Sequence, residues 1–178
     1  MLQRWLADEA RVRERFEAGS AAAADQPTDP REFAAQPAIA LFDAMMAGRL
    51  PGAPIARTLD FLPVLIEPGH AIFQGTPKLA HYNPIGSVHG GWFATLLDSA
   101  LGCAVHSALP PGKAYTTLEL KINIVRALTT KVPRVRADGR IVHLGSQTAT
   151  AEARMIGPDG KLYAHGTTTC LVFPIRSA

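Results

Sequence analysis

Cysteine is scarce in this chain: Cys103 and Cys170 are the only two, each in an apolar stretch and neither at metal-ligand spacing. Thiols so placed behave as small buried hydrophobes, which excludes a disulfide-stapled scaffold and fits a reducing compartment. Dense charge of one sign is missing as well. The 18 Lys and Arg are spread against 15 Asp and Glu, for a net charge of +3, without the clustered basic patch that nucleic-acid binding uses. The mild positive field suits a ligand that carries phosphates. Six histidines without paired spacing offer no metal site. There is no uninterrupted apolar run of the ~20 residues a membrane span needs. The longest, Trp92 to Leu109, is broken by Asp98, Ser99, His106 and Ser107, and a central Asp is costly in a bilayer. The first turns, MLQRWLADE, are charged and contain no signal core. A cytoplasmic location, with no membrane and no nucleic-acid partner, is the expectation.

What is present is an ordinary globular composition, 47% hydrophobic and 19% charged over 178 residues, enough for one core plus an appendage. Residues 2–17 predict an amphipathic helix, with Leu2, Leu6, Val12 and Phe16 at loosely helical spacing, Trp5 beside them, and Asp, Glu and Arg at the other positions. Gly19 to Pro37, rich in Ala, Asp and Pro, predicts a linker with little regular structure. A second short helix is expected from Ala38 to Ala47, before Gly48 and Pro51. Residues 1–54 thus form a helical extension and linker, and residues 55–178 the main domain.

From Ile55 the pattern predicts strands: Ile55 to Glu67, then His70 to Thr76 after the Pro68-Gly69 turn. Gly91 to Leu109 is apolar on every side, the mark of an enclosed helix. Beyond it, Leu118, Leu120, Ile122 and Ile124 alternate with polar residues from Thr117 to Arg126, so this strand should bury one face. Val132 to Leu144, Gln147 to Ile156 and Leu162 to Phe173 follow, the last two joined by the turn Gly157-Pro158-Asp159-Gly160. Two strands, one apolar helix and four strands describe an α+β fold in which an antiparallel sheet wraps around a single central helix.

Three features of the segment HYNPIGSVHGGWFATLLDSALGCAVHSAL exceed what a core requires. Gly90-Gly91 stands at a helix start, where free N–H groups and the helix dipole can hold a carbonyl oxygen as it becomes an oxyanion; a plain hinge is the other reading. Asp98 lies among Leu96, Leu97, Ala100 and Leu101, and burial raises a carboxyl pKa toward values useful for general base work; a structural ion pair or a helix-facing hydrogen bond is its other reading. Asn83 and His89 flank the loop between them, Asn83 able to orient water or polarise a carbonyl, His89 able to donate a hydrogen bond that fixes the loop. Eight residues separate Gly90 from Asp98, ~12 Å along a helix at ~1.5 Å per residue. One chain cannot bring both to one substrate, whereas two antiparallel helices across a two-fold axis can, so a shared site makes a homodimer the minimum active unit.

The pattern Asn83-Pro84-x-Gly86-x-Val88-His89-Gly90-Gly91, followed by Leu96-Leu97-Asp98, resembles the signature of hotdog-fold acyl-CoA thioesterases of the phenylacetate-pathway (PaaI) type. The resemblance runs from about Ile55 to Phe173. It implies hydrolysis of an aryl- or short/medium-chain acyl-CoA with no metal or redox cofactor, CoA being part of the substrate, by dimers that commonly pair into homotetramers. It sets Asn83, His89 and the Gly90 N–H of one subunit opposite Asp98 of its neighbour, and places Thr117 at the carboxylate or water. Contacts to CoA are implied for Gly91, Arg126, Arg140, His143, Gly145 and Ser146, although many relatives carry Gly-Arg where this chain has Gly145-Ser146-Gln147. A hotdog hydratase or dehydratase and a non-catalytic acyl-CoA binding protein are the alternatives.

Overall fold

The computed structural model describes residues 1–22 and 34–175, and the side chains of these except 17–22. Its elements are α1 (Leu2–Ala22), α2 (Ile39–Met46), α3 (Pro54–Thr58), β1 (Phe61–Glu67), β2 (His70–Gly75), α4 (Gly90–Ser107), β3 (Lys113–Ile124), β4 (Val135–Leu144), β5 (Thr148–Ile156) and β6 (Leu162–Pro174). The strands form one antiparallel sheet in the order β1-β2-β4-β5-β6-β3. The sheet curls around α4, whose Phe93, Leu96, Leu97 and Leu101 are at most 1% exposed. This is the predicted α+β arrangement. No helix among the described residues is long and apolar enough to cross a membrane.

Small residues let the helix sit deep. Ala71, Gly139, Ala153 and Gly166 pair in register across β2, β4, β5 and β6, forming a row without bulk on the inner face. At its second position the backbone of α4 presses onto the sheet: a Cβ on Gly139 would stand 2.5 Å from the Ala100 carbonyl oxygen. Gly75 does the same for the Trp92 ring, at 2.8 Å.

Three expectations need correction. Ile55 does not begin a strand; Pro54, Ile55 and the next residues form α3, because a proline at the first helical position is preset for helix and its missing N–H is not needed there. β1 starts at Phe61. Leu118 does not face the core, being 61% exposed. The register steps from Thr117↔Cys170 to Glu119↔Thr169, so Leu118 is the extra residue of a β-bulge that breaks the alternation. Finally, α1 continues through Gly19 to Ala22, where a linker is expected; the rest of that linker as far as residue 33 lies outside the described residues.

α1 lies on the outer face of the sheet, over the row formed by Leu62, Gln74 and Arg136. Trp5, Glu9 and Val12 are its buried residues, one helical stripe at i, i+4 and i+7. The Gln74 amide donates to Glu9 (2.7 Å) and to the Trp5 carbonyl (3.1 Å). Arg13 and Arg134 also meet Glu9, while Arg136 reaches Asp8 at 2.8 Å and stacks 4.6 Å over the Trp5 ring. Burial raises the Glu9 carboxyl, but these donors outweigh it and hold it below the usual range. Removing Glu9 would strand an Arg and an amide under the helix. Glu9→Ala is therefore expected to cost about 2–3 kcal/mol, seen as a thermal midpoint lower by roughly 5–10 °C and a red shift of Trp5 emission.

Candidate active site

α4 begins at a built cap. His89 is the N-cap residue, at φ −63° and ψ 140°, and its Nδ1 accepts from the Gly91 N–H at 2.8 Å. Because that N–H can only donate, Nδ1 is unprotonated and the ring proton resides on exposed Nε2. His89 thus fixes the loop by accepting a hydrogen bond, where the sequence suggested that it donates one. Gly91 suits this cap, since a Cβ there would stand 3.0 Å from Nδ1 and push the ring aside by a few tenths of an ångström. No described residue accepts from the Gly90 N–H, which is left at the positive end of the helix.

Asn83 spends its side chain on its own loop. Oδ1 accepts from the Ile85 N–H (3.1 Å) and the Ser87 N–H (3.2 Å), and Nδ2 donates to Ser87 Oγ (3.1 Å). With the backbone bond from Asn83 N–H to Ser87 carbonyl at 2.8 Å, these close residues 83–87 into a tight loop. One Nδ2 hydrogen remains uncommitted.

Asp98 is half-buried in the third turn of α4, and desolvation raises its carboxyl above the ordinary value, a weak hydrogen bond from Thr117 opposing this. Thr117 Oγ lies 3.5 Å from the carboxylate; the bulge at Leu118 sets the inward turn of this residue. No described Lys, Arg or His forms an ion pair with Asp98. Deeper along the helix, Cys103 has its thiol pushed up to about 12, by burial first and the Asp98 charge second, so it is inert as a nucleophile. Tyr115 packs against the same stretch, its hydroxyl where a Cβ on Gly102 would come within 2.5 Å. Gly102 is a signal that the sequence reading passed over: a mid-helix glycine costs ~1 kcal/mol relative to Ala and marks a close approach.

The remaining predicted residues divide. The chain beyond β3 runs past the start of α4: Ile124 lies 3.3 Å from a Cβ on Gly90, and the Val88 N–H donates to the Leu128 carbonyl. Arg126 therefore stands at the same end as Asn83, His89, Gly90 and Gly91. Arg140 is on the outer face, in a shallow depression with Asp138, Glu152 and Arg154, where acids offset the bases. β4 passes Ala100 at Gly139 and reaches the level of Ser107 at Ile141, so His143, Gly145 and Ser146 lie beyond the opposite end of α4. Within one chain the structure joins Asp98 to Thr117 and keeps both a helix half-length from Gly90. Among the described residues no three His, Cys, Asp or Glu gather to hold a metal ion.

Residues 85–164, from the loop before α4 into β6, match the Thioesterase superfamily model. This part of the chain is a thioesterase-superfamily domain with the hotdog fold. A predicted esterase of Halobacterium salinarum is 37% identical to the chain over 82 residues, 46% of this chain and 54% of that protein, so the chain spans about half the length of that relative. A mutant of the phenylacetic acid degradation protein PaaI of Thermus thermophilus superposes with a TM-score of 0.60 at 28% identity, covering 67% of this chain and 98% of that one. A hypothetical thioesterase of Streptococcus pneumoniae, solved with coenzyme A, superposes at 0.59 with 25% identity, covering 66% and 88%. Helices α1 to α3 lie outside the matched range, yet the end of α3 touches the first turn of α4: the Trp92 Nε1–H donates to the Leu59 carbonyl at 2.9 Å.

Proposed function

We propose that this protein hydrolyses acyl-CoA thioesters at sites shared between two subunits, Asp98 coming from one and the Gly90 N–H from the other. The observation that carries the reading is a half-buried carboxylate without a cation, eight residues along the helix from an N–H without an acceptor. The Gly90 N–H donates to the thioester carbonyl, and the charge that develops on its oxygen is held there by the helix end. Asp98 takes a proton from water while the hydroxide adds to the carbonyl carbon; the tetrahedral oxyanion collapses, the C–S bond breaks and the CoA thiolate recovers a proton. Direct attack by Asp98 gives the same products through an anhydride that water opens. Thr117 steadies the carboxylate, and Asn83 and His89 hold the loop and cap that aim the Gly90 N–H.

The CoA-bound pneumococcal structure supports CoA as the leaving group, and the likeness to a phenylacetic acid degradation protein supports an aryl-acetyl group, with short and medium acyl chains as the other substrates to be tried. Arg126, Arg140 and His143 are the candidate phosphate contacts, since the pantetheine arm carries the phosphates well away from the carbonyl held at Gly90. A thiol-trapping assay over aryl, short and medium acyl-CoAs is expected to show stoichiometric release of CoA and free acid for at least one class. Tight binding with no thiol from any of them would point to an acyl-CoA binding protein, and a change in enoyl absorbance without thiol to a hydratase; either result sinks the proposal.

A further inference from the structure

Among the described residues Asp60 is the single non-glycine with a positive φ, at 49°. A side chain in this region is strained unless its surroundings hold it there. What holds Asp60 is the pair of cations on its carboxylate: Arg13 of α1 at 3.2 Å and Lys78, just before the 3-10 turn Leu79–His81, at 2.9 Å. Its own carbonyl accepts from the Thr76 N–H at 3.1 Å. The corner is therefore tied to two separate parts of the chain, α1 and the segment Thr76 to Lys78.

From Lys78 the connection continues to the catalytic end in short steps. The His81 N–H donates to the Lys78 carbonyl (3.0 Å), the Lys78 N–H to His81 Nδ1 (3.2 Å), and the His89 N–H to the His81 carbonyl (2.8 Å). The His81 ring also stacks on Trp92, centroids 5.5 Å apart. Leu59, the neighbour of Asp60, accepts from the Trp92 indole. One corner thus grips α4 on both sides of Gly90: through His89 before it and Trp92 after it. On its other side Arg13 joins the corner to Glu9 at 2.8 Å, and so to the whole clamp that docks α1.

We propose that Asp60 is a positioning residue that couples the N-terminal helix to the direction of the Gly90 N–H. α1 then belongs to the catalytic framework. This rests on the oxyanion role given to Gly90 above.

Asn tolerates the left-handed conformation at least as well as Asp, so Asp60→Asn removes the charge while keeping the backbone. In the full-length protein it is expected to lower kcat by about 10- to 100-fold, the range a small misplacement of a catalytic group produces, with KM little changed and the thermal midpoint lowered only by the loss of two partly exposed ion pairs. Lys78→Met should behave alike and add nothing to Asp60→Asn. Arg13→Met should give a smaller loss in kcat. A lowered midpoint with unchanged kcat in Asp60→Asn would mean a merely structural corner and would overturn the proposal; unchanged kcat in Arg13→Met alone would remove α1 from it. Amide hydrogen exchange at His89, expected to quicken in Asp60→Asn, reads the coupling without turnover. Quickened exchange in a protein that releases no thiol from any acyl-CoA would sink the hydrolase reading and leave the coupling standing, whereas unaltered exchange overturns the coupling itself.

Discussion

Asp98→Asn is expected to lower thiol release by about 10²- to 10⁴-fold, the usual contribution of a positioned general base, while the protein unfolds at the same or a higher temperature. The second half of that expectation separates a catalytic carboxylate from a structural one. Burial raises the Asp98 carboxyl pKa with only a long hydrogen bond from Thr117 in opposition, so the charged form costs folding free energy at neutral pH and its removal relieves that cost. The sign is that of an acid with a raised folded-state pKa: its contribution to stability is full at low pH and is lost as pH rises through the folded value. Turnover has the opposite trend, falling as acid protonates the carboxylate from a pH above the ordinary 3.8. A complementary variant exists at the other half of the site. Gly90→Pro deletes one N–H at a position where proline is favoured, and His89, at ψ 140°, already has the backbone that a residue before proline adopts. Its loss should be about 10²- to 10³-fold. Co-refolding the two inactive variants is decisive for sharing: mixed dimers carry both defects in one site and none in the other. Random pairing then restores roughly a quarter of wild-type turnover, and no recovery at all would place Asp98 and Gly90 in separate functions.

Much of this site was legible because its residues break local rules within one short segment. A glycine pair at a helix start and a carboxylate in an apolar helix are each visible without coordinates, and the ~12 Å between them follows from helix geometry alone. The supporting residues were not visible in this way. Asp60, Lys78 and His81 carry no unusual pattern; their proposed roles arise where β1 begins against the chain leading to α4, a contact between segments that periodicity cannot report. Arg140, His143, Gly145 and Ser146 were chosen for chemistry and nearness in sequence to the family pattern, but the register of β4 turns Arg140 outward and carries the others past the far end of α4.

The fold shows the same division. Alternation and turn residues located all six strands, and the all-round apolar pattern located α4 within one or two residues. The bulge escaped because Leu118 keeps the alternation of its neighbours; only the pairing with β6 reveals the additional residue. α1 was expected to dock through Leu2, Leu6, Val12 and Phe16, with Trp5 beside them. Trp5 and Val12 are buried as that stripe requires and Leu2, Leu6 and Phe16 partly so, but the centre of the docked face is Glu9, whose desolvation is offset by two guanidinium groups and an amide. A hydrophobicity scan counts Glu9 as solvent-facing and so misses the polar centre of that face.

Gly139→Ala is expected to be the most damaging single-methyl change in the protein. The added Cβ would stand 2.5 Å from the Ala100 oxygen, 2.6 Å from its carbonyl carbon and 3.0 Å from the Leu101 nitrogen. All three are backbone atoms in the middle of α4, so no side-chain rotation can relieve the contact; the helix must lift from the sheet or β4 must bend. Overpacking of this kind costs about 3 kcal/mol, a fall in thermal midpoint of roughly 6–12 °C for a chain of this size. Gly86→Ala offers the contrast, for a Cβ there meets nothing within 4 Å, although φ is 89° and the strain is confined to one turn. The consequence for function is geometric. Asp98 stands two residues before Ala100 and touches Thr117 at the limit of a hydrogen bond, so lifting α4 by even part of an ångström parts the carboxylate from β3. Thiol release by the folded fraction of Gly139→Ala should therefore fall by at least about tenfold. A variant that lost stability but kept full turnover per folded molecule would show that the seat of α4 on the sheet sets stability alone and leaves Asp98 in place.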